Sequence, residues 1–161
     1  MANEYECHVL QECPFGKQMR MKRHNMVAKA IGKDLRNKGW TVQLKKWVRD
    51  GRVNYRPDII AWRGRRGFIG DVRIPYEKND LTLNKCRMDK EDKYAGLLNK
   101  VGFPDTVINR DTKGFIIGTT GTMTEENCNP FRELQIVSKF NNYCRIAAQG
   151  SCAVWRLHTK T

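Results

Sequence analysis

The 161-residue chain is 40% hydrophobic and contains four Trp and six Phe, which is enough for a buried core and excludes an intrinsically disordered protein. Its 30 Lys and Arg against 17 Asp and Glu give a formal net charge of +13, which favours a polyanionic partner such as nucleic acid, although a merely soluble basic protein would have the same balance. It has no apolar run of the roughly 18 residues that a membrane-spanning helix needs, so we expect no membrane partner. Scattered Cys residues without a secretory leader indicate reduced thiols in a reducing, intracellular compartment.

The first half of the chain is predicted to form a helix followed by strands. Apolar residues recur at helical spacing over residues 21–38, and Gly39 follows as a stop signal. Residues 40–48 alternate as in a strand. Two short apolar runs within residues 55–74, joined by the Gly-Arg-Arg-Gly turn at 64–67, predict a β-hairpin.

The second half adds mostly helices. Residues 83–100 have a helical stripe, and residues 114–118 read as a short buried strand. After a polar loop, residues 131–140 and 143–155 are each predicted to be helical. This order of elements predicts a mixed α/β fold, with a mixed central sheet flanked by helices.

Basic side chains are concentrated in the first predicted helix. We expect this helix to contact DNA phosphates through Lys22, Arg23, Lys29 and Arg36. The alternative is an ordinary solvated face. His24 lies in the same helix, where it could contact the core, DNA or a zinc ion.

Two aspartates are predicted to meet across the hairpin. Asp58 lies at its first strand and Asp71 on its second, so their carboxylates can come close together. Such a pair repels unless a cation lies between, and Mg²⁺ suits carboxylate and carbonyl oxygens, so the Val72 carbonyl could be a further ligand. The alternative is that Asp58 belongs to a turn and Asp71 pairs with an arginine.

A lysine would complete a site for cleaving phosphodiesters. Arg73 shares a strand face with Asp71 and could orient a phosphate, but it cannot act as a base. Lys90 and Tyr94 lie four residues apart on the following predicted helix and therefore side by side. A lysine near the metal could position water and stabilise the transition state, whereas the alternative is a solvated side chain.

These residues resemble the PD-(D/E)xK restriction-like endonuclease superfamily. The chain is more narrowly similar to the C-terminal endonuclease domain of site-specific non-LTR retrotransposons, which insert into ribosomal DNA. The matching segments, which together cover nearly the whole chain, are HVLQEC (residues 8–13), KRHN (22–25), KGWTV (38–42), RPDII (56–60), DVRIPYE (71–77), KEDKY (90–94) and, more weakly, GFIIGTTG and the closing SCAVWRLHTKT.

The resemblance implies a nuclear enzyme that uses Mg²⁺ or Mn²⁺ to nick one strand of double-stranded DNA. The exposed 3′ hydroxyl would prime reverse transcription, so the implied partners are the reverse transcriptase region of the same polyprotein and, indirectly, the element RNA. Asp58 and Asp71 match the family's metal-binding acids, and Lys90 and Tyr94 match its catalytic lysine and accompanying tyrosine. Arg56 matches the basic residue that precedes the PD dipeptide.

The resemblance also implies two regions, a partial zinc-knuckle-like segment at residues 1–20 and the endonuclease domain at residues 21–161. His8 and Cys13 match the second half of a zinc knuckle, but the preceding CxxC is absent. Cys7 could be a third ligand, although structural zinc takes four. We therefore expect a fragment that begins inside the knuckle and lacks the full ligand set for Zn²⁺.

Two other functions fit the same residues. One is a DNA-binding module that has lost catalysis, which the complete acids at positions 58 and 71 disfavour. The other is a housekeeping nuclease of the same superfamily, such as a junction-resolving enzyme, which the half-knuckle disfavours.

Overall fold

A four-stranded mixed sheet organises the chain in the computed structural model, which describes residues 6–76 and 79–159. The six strands are β1 (Thr41–Leu44), β2 (Val48–Asp50), β3 (Val53–Tyr55), β4 (Ile59–Arg63), β5 (Arg66–Arg73) and β6 (Asn109–Ile116). The main sheet has the order β1-β4-β5-β6, and β2 pairs separately with β3. Because β5 pairs antiparallel with β4 but parallel with β6, the sheet is mixed and the predicted α/β class is confirmed.

Four helices with both ends in the described part of the chain accompany the sheet. They are α1 (Lys17–Asn37), α2 (Asp80–Ala95), α3 (Asn129–Glu133) and α4 (Phe140–Thr159). Short turns of π-helix at His8–Glu12 and of 3₁₀-helix at Pro14–Gly16, Glu126–Cys128 and Val137–Lys139 are also present. None of the helices within the described residues is long and apolar enough to cross a membrane.

Local chemistry sets the ends of the two helices that bear on the site. Helix α1 ends where Gly39 takes a φ of +85°, which lets the Trp40 N–H donate to the Leu35 carbonyl at 3.1 Å. Helix α2 begins after Asn79, whose side-chain oxygen accepts from the Thr82 N–H at 2.9 Å.

The helices cover both faces of the sheet. Phe68 of β5 is buried in a cluster with residues of α1 and α4, including Ile31 and Tyr143, whereas its neighbour Ile69 is buried in a second cluster with Tyr94 of α2. Successive strand residues point to opposite faces, so the odd-numbered positions of β5 face α2. Asp71 is one of these positions.

A glycine in β6 allows α2 to lie directly on the sheet. Gly114 pairs in register with Asp71, and a Cβ at Gly114 would lie only 2.9 Å from the Arg87 carbonyl oxygen of α2. The Gly114 N–H also donates to Oε1 of Glu91 at 3.2 Å. Lys90 follows Arg87 by less than one helical turn, so this contact fixes the position from which Lys90 reaches Asp71.

Several predicted boundaries need correction. Helix α1 begins at Lys17 rather than at residue 21, since the 3₁₀ turn at Pro14–Gly16 leads straight into it. The single strand predicted for residues 40–48 is two elements, because Lys45 takes a φ of +54° and ends β1.

The C-terminal predictions also change. Strand β6 begins at Asn109 rather than at residue 114, because its polar first half also pairs with β5, and it ends at Ile116 rather than at residue 118. Helix α2 ends at Ala95 rather than at residue 100, and short turns occupy residues 96–100. The helix predicted at 131–140 is interrupted by Gln135, whose φ is +60°, and α4 begins at Phe140 and continues past Gly150.

Candidate active site

Two carboxylates of the β4–β5 hairpin form the centre of the candidate site. Asp58 directly precedes β4, and the pairing of Ile59 with Gly70 places it opposite Asp71. Asp58 is 3% exposed and Asp71 is 4% exposed. The Asp58 N–H donates to Oδ1 of Asp71 at 3.3 Å, and the Val72 N–H donates to Oδ2 of Asp58 at 2.8 Å. The hairpin therefore brings the two predicted acids together.

A lysine contacts each acid. Lys90 of α2 donates to Oδ2 of Asp71, and the Tyr94 hydroxyl, one turn later, lies 3.4 Å from Oδ1 of the same carboxylate. Lys45 donates to Oδ1 of Asp58. Lys45 directly follows β1, where its backbone N–H donates to the Asp58 carbonyl at 3.0 Å. Both predicted α2 residues thus reach Asp71, and a second lysine, Lys45, contacts Asp58.

His24 of α1 contacts the acid pair from another side. Its Nε2 lies 3.0 Å from Oδ2 of Asp58 and 3.0 Å from the Val72 carbonyl oxygen. A carbonyl oxygen only accepts hydrogen bonds, so Nε2 carries the proton in this arrangement. His24 therefore ties the carboxylate of Asp58 to the backbone of β5.

The two acids differ in how readily they ionise. Burial raises the pKa of Asp71, the neighbouring Asp58 raises it further, and Lys90 opposes both. Burial acts in the same direction on Asp58, but hydrogen bonds from His24 and Lys45 hold its pKa well below the usual range. For His24, the contact with Asp58 outweighs the lowering effect of burial, and its pKa is raised.

The oxygen atoms of this site suit a hard divalent cation. Asp58 raises the pKa of the Asp71 carboxyl group, and a cation between the two acids would offset that repulsion. Within residues 6–76 and 79–159, no group of three or more His, Cys, Asp and Glu side chains is placed to hold a metal. A cation at this position would therefore have two carboxylates as side-chain ligands, and the Val72 carbonyl could be added to them. Mg²⁺ is commonly bound by one or two carboxylates with water completing its shell, so the residues fit that ion.

The predicted zinc ligands lie in and directly beside the π-helical turn His8–Glu12. Cys7, His8 and Cys13 do not form a metal-binding group in the described part of the chain. Cys13 is buried, whereas the exposed His8 ring lies 3.8 Å from Glu12.

A basic cleft of about 380 Å³ opens beside the acids. Its cationic lining consists of Lys17, Arg20, Arg23, Lys45, Arg73 and Lys90. Arg73 is exposed there. A second pocket of about 220 Å³ adjoins Asp58 and is lined by Arg56 and Lys29.

Three other predicted phosphate contacts have separate positions. Lys22 is exposed on α1 close to Lys29. Arg36 is exposed at the end of α1, where it donates to the Val42 carbonyl at 3.2 Å. Arg23 needs correction: it is only 4% exposed, and its Nη1 donates to Ser151 of α4 at 2.8 Å. This contact joins α1 to α4, which the basic composition of α1 did not indicate.

No role at the acids was predicted from the sequence for Lys45 or for His24. For His24 a signal existed, because it precedes the buried Val27 by three residues and therefore lies near the inner face of α1. For Lys45 no sequence signal existed, because its position depends on a left-handed backbone conformation that a lysine does not predict.

Comparison with known proteins found relatives of this chain, but no family model matches it. A retrovirus-related Pol polyprotein from the type-1 retrotransposable element R2 of Popillia japonica is 38% identical over 161 aligned positions, which cover 94% of this chain and 22% of the relative. The R2 Pol polyprotein of Nasonia vitripennis is 33% identical over 80 positions, covering 50% of this chain and 8% of the relative. Another from Popillia japonica is 26% identical over 159 positions, covering 96% of this chain and 32% of the relative. The chain thus spans a third or less of these curated relatives, and over nearly its whole length it is homologous to the Pol polyproteins of R2 non-LTR retrotransposons.

Proposed function

We propose that this chain is a restriction-like endonuclease domain of the PD-(D/E)xK type that uses a divalent metal to nick one strand of double-stranded DNA. The observation that carries the proposal is the buried Asp58–Asp71 pair, with a lysine on each acid, beside a basic cleft. In an R2 polyprotein, the 3′ hydroxyl at the nick would prime reverse transcription of the element RNA in the nucleus. The reverse transcriptase region of the polyprotein is then the partner that uses the nick.

Mg²⁺ or Mn²⁺ would be held by the carboxylates of Asp58 and Asp71 together with the Val72 carbonyl. When bound there, such a cation stabilises the charge that develops on the phosphate and makes water more acidic. His24 keeps the Asp58 carboxylate and the Val72 carbonyl at a fixed separation, since its Nε2 lies 3.0 Å from both oxygens. It acts as a positioning residue, like the partners that orient ligands at other metal sites.

The lysines supply positive charge at the reacting phosphate. The Lys90 ammonium is held by Asp71 and can donate to a phosphate oxygen that becomes more negative as the bond breaks. Lys45 offers the same on the Asp58 side. Tyr94 donates from Oη to Asp71, and its pKa is raised by burial and by the nearby acid, so the hydroxyl remains a donor that orients the carboxylate.

Duplex DNA is the substrate that the surrounding charge favours. Lys17, Arg20 and Arg73 line the cleft and can contact backbone phosphates on either side of the cleaved bond. Lys22 and Lys29 continue the basic surface along the exposed side of α1. Such contacts release counterions, so binding should weaken steeply as salt is raised.

Nicking of supercoiled plasmid tests the proposal. The purified chain should convert plasmid to open circles with Mg²⁺ or Mn²⁺ but not with EDTA, and Asp58→Asn should reduce the rate by about a thousandfold or more. Asp92→Asn is the matched control, because Asp92 is an exposed acid on α2. Binding of duplex without nicking under either metal, or equal nicking by the wild type and Asp58→Asn, would contradict the proposal and favour a non-catalytic DNA-binding module.

A further inference from the structure

An exposed tryptophan lies on the segment that leads away from the acids. Trp47 follows Lys45, which contacts Asp58, by two residues and directly precedes β2. Its side chain is 64% exposed, although its neighbour Val48 is buried at 5%. Core packing therefore does not account for the position of this large aromatic side chain beside a polar site.

The indole is held in place rather than left loose. The guanidinium of Arg56 lies over the Trp47 ring, 5.3 Å from its centroid. Arg56 is itself fixed, because its Nε donates to the Lys45 carbonyl at 3.0 Å. A cation on an aromatic face and a hydrogen bond to the same turn restrict both side chains, so a ligand would meet an ordered surface.

The charge around the ring is almost wholly positive. The exposed basic residues of this segment are Lys46, Arg49, Arg52 and Arg56. Its only acid before Asp58 is Asp50, whose carboxylate is already paired with Lys100. The apolar surface is small, with Val53 at 51% exposure as the other exposed apolar residue of the β2–β3 hairpin. The surface therefore fits a polyanion with flat rings better than an apolar protein partner.

We infer that Trp47 stacks on an unpaired base of single-stranded DNA, while Arg56 and Lys46 contact the phosphates beside it. The base must be unpaired because both faces of a base inside a duplex are already covered by its neighbours. The inference rests on the proposed function in one respect, since nicking at the adjacent acids would free a strand end at this position. Trp47, Arg56 and Lys46 then form a platform that retains the nicked strand.

Binding without cleavage tests the platform separately from the nuclease. Fluorescence anisotropy in EDTA would compare a labelled single-stranded oligodeoxynucleotide with a blunt duplex of the same sequence. Trp47→Ala should weaken binding of the single strand by about fivefold or more, as expected for loss of one base stack, and weaken duplex binding by less than about twofold. Trp47→Phe should retain most of the affinity because it keeps an aromatic face.

Leu81→Ala is the control for an exposed apolar side chain, since Leu81 is 78% exposed on α2. It should bind both DNAs as the wild type does, and thermal melts should show that every variant is folded. Equal binding by the wild type and Trp47→Ala, an equal loss on single strand and duplex, or a loss in Trp47→Phe as large as in Trp47→Ala would overturn the inference. Tighter binding of an RNA of the same sequence would overturn the choice of DNA. If plasmid nicking fails while the Trp47-dependent binding persists, only the proposed nuclease activity is refuted.

Discussion

The backbone N–H of Asp58 donates to Oδ1 of Asp71 at 3.3 Å, across the hairpin that joins them. The reciprocal contact runs from the Val72 N–H to Oδ2 of Asp58 at 2.8 Å. Each carboxylate is therefore held by the backbone of the opposite strand. A cation that binds both acids would need little rearrangement of the hairpin, which favours tight and specific binding.

Loss of the Lys90 charge should slow nicking and shift its pH dependence. The lysine opposes the effects of burial and of Asp58 that raise the pKa of Asp71, so Lys90→Met should raise that pKa further. Ionised Asp71 would then be available only at higher pH, so the acidic limb of the pH–rate profile should shift to higher pH. We also expect the maximal rate to fall by about a hundredfold or more.

The pH profile of plasmid nicking measures both effects. Lys85→Met is the matched control, because Lys85 is exposed on the same helix. An acidic limb that stays in place in Lys90→Met would show that Lys90 does not govern the ionisation of Asp71.

Removal of His24 should weaken metal use more than it weakens folding. His24→Ala deletes the group that spans the Asp58 carboxylate and the Val72 carbonyl, and we expect a tenfold to hundredfold loss, roughly what such supporting contacts contribute elsewhere. The loss should appear as a higher Mg²⁺ concentration for half-maximal nicking. His24→Gln retains a hydrogen-bond donor and should therefore need less Mg²⁺ for half-maximal nicking than His24→Ala does. The comparison is with His8→Ala, since the His8 ring is exposed, and an unchanged Mg²⁺ requirement in His24→Ala would rule out the positioning role.

A methyl group at Gly114 should disturb both stability and activity. The added Cβ would meet the Arg87 carbonyl oxygen at 2.9 Å, so α2 must move away from β6 and carry Lys90 with it. We expect Gly114→Ala to lower the free energy of unfolding by about 1–3 kcal/mol and to slow nicking in the surviving folded protein.

Gly96→Ala tests whether position matters, since nothing lies within 4 Å of a Cβ there, at the end of the same helix. Gly96→Ala should melt and nick like the wild type, whereas Gly114→Ala should melt at a lower temperature and nick more slowly. If Gly114→Ala behaves like Gly96→Ala, the close packing of α2 on β6 is not what positions Lys90.

The Tyr143–Asp34 contact should stabilise the domain only below strongly alkaline pH. The Tyr143 hydroxyl donates to Asp34 at 2.6 Å, and burial together with that acid raises the pKa of the phenol. Above about pH 10 the unfolded tyrosine loses its proton while the folded one keeps it, so the stabilisation is present at lower pH and is lost as pH rises. Tyr143→Phe should melt several degrees below the wild type near pH 8, and the gap should narrow near pH 11. A gap of constant size at both pH values would contradict this assignment.

The sequence predicted the parts of the site that depend on short-range patterns. Asp58 and Asp71 belong to one hairpin with a Gly-containing turn, and Gly64 indeed takes a φ of +58° there. Lys90 and Tyr94 are one helical turn apart, so a correctly predicted helix at these residues was enough to place both side chains on the same face. These relationships are fixed by local geometry and need no knowledge of tertiary packing.

Contacts between distant elements could not be predicted in this way. His24 reaches the acids because α1 packs across the sheet, and Arg23 is buried because α4 covers it. The break at Gln135 and the turn at Lys45 both use left-handed backbone at residues without glycine's freedom, which tertiary contacts must stabilise. The three-residue strands β2 and β3 were missed because so short a pattern is not distinctive.

Anomalous diffraction from crystals of the chain soaked in Mn²⁺ tests the central claim most directly. We expect a single manganese peak that lies within coordination distance of both a carboxylate oxygen of Asp58 and a carboxylate oxygen of Asp71, and we expect Asp58→Asn crystals to lack it. A peak bound to only one of the two acids, or no peak beside either while Lys45 and Lys90 remain on the carboxylates, would show that Asp58 and Asp71 do not share a cation.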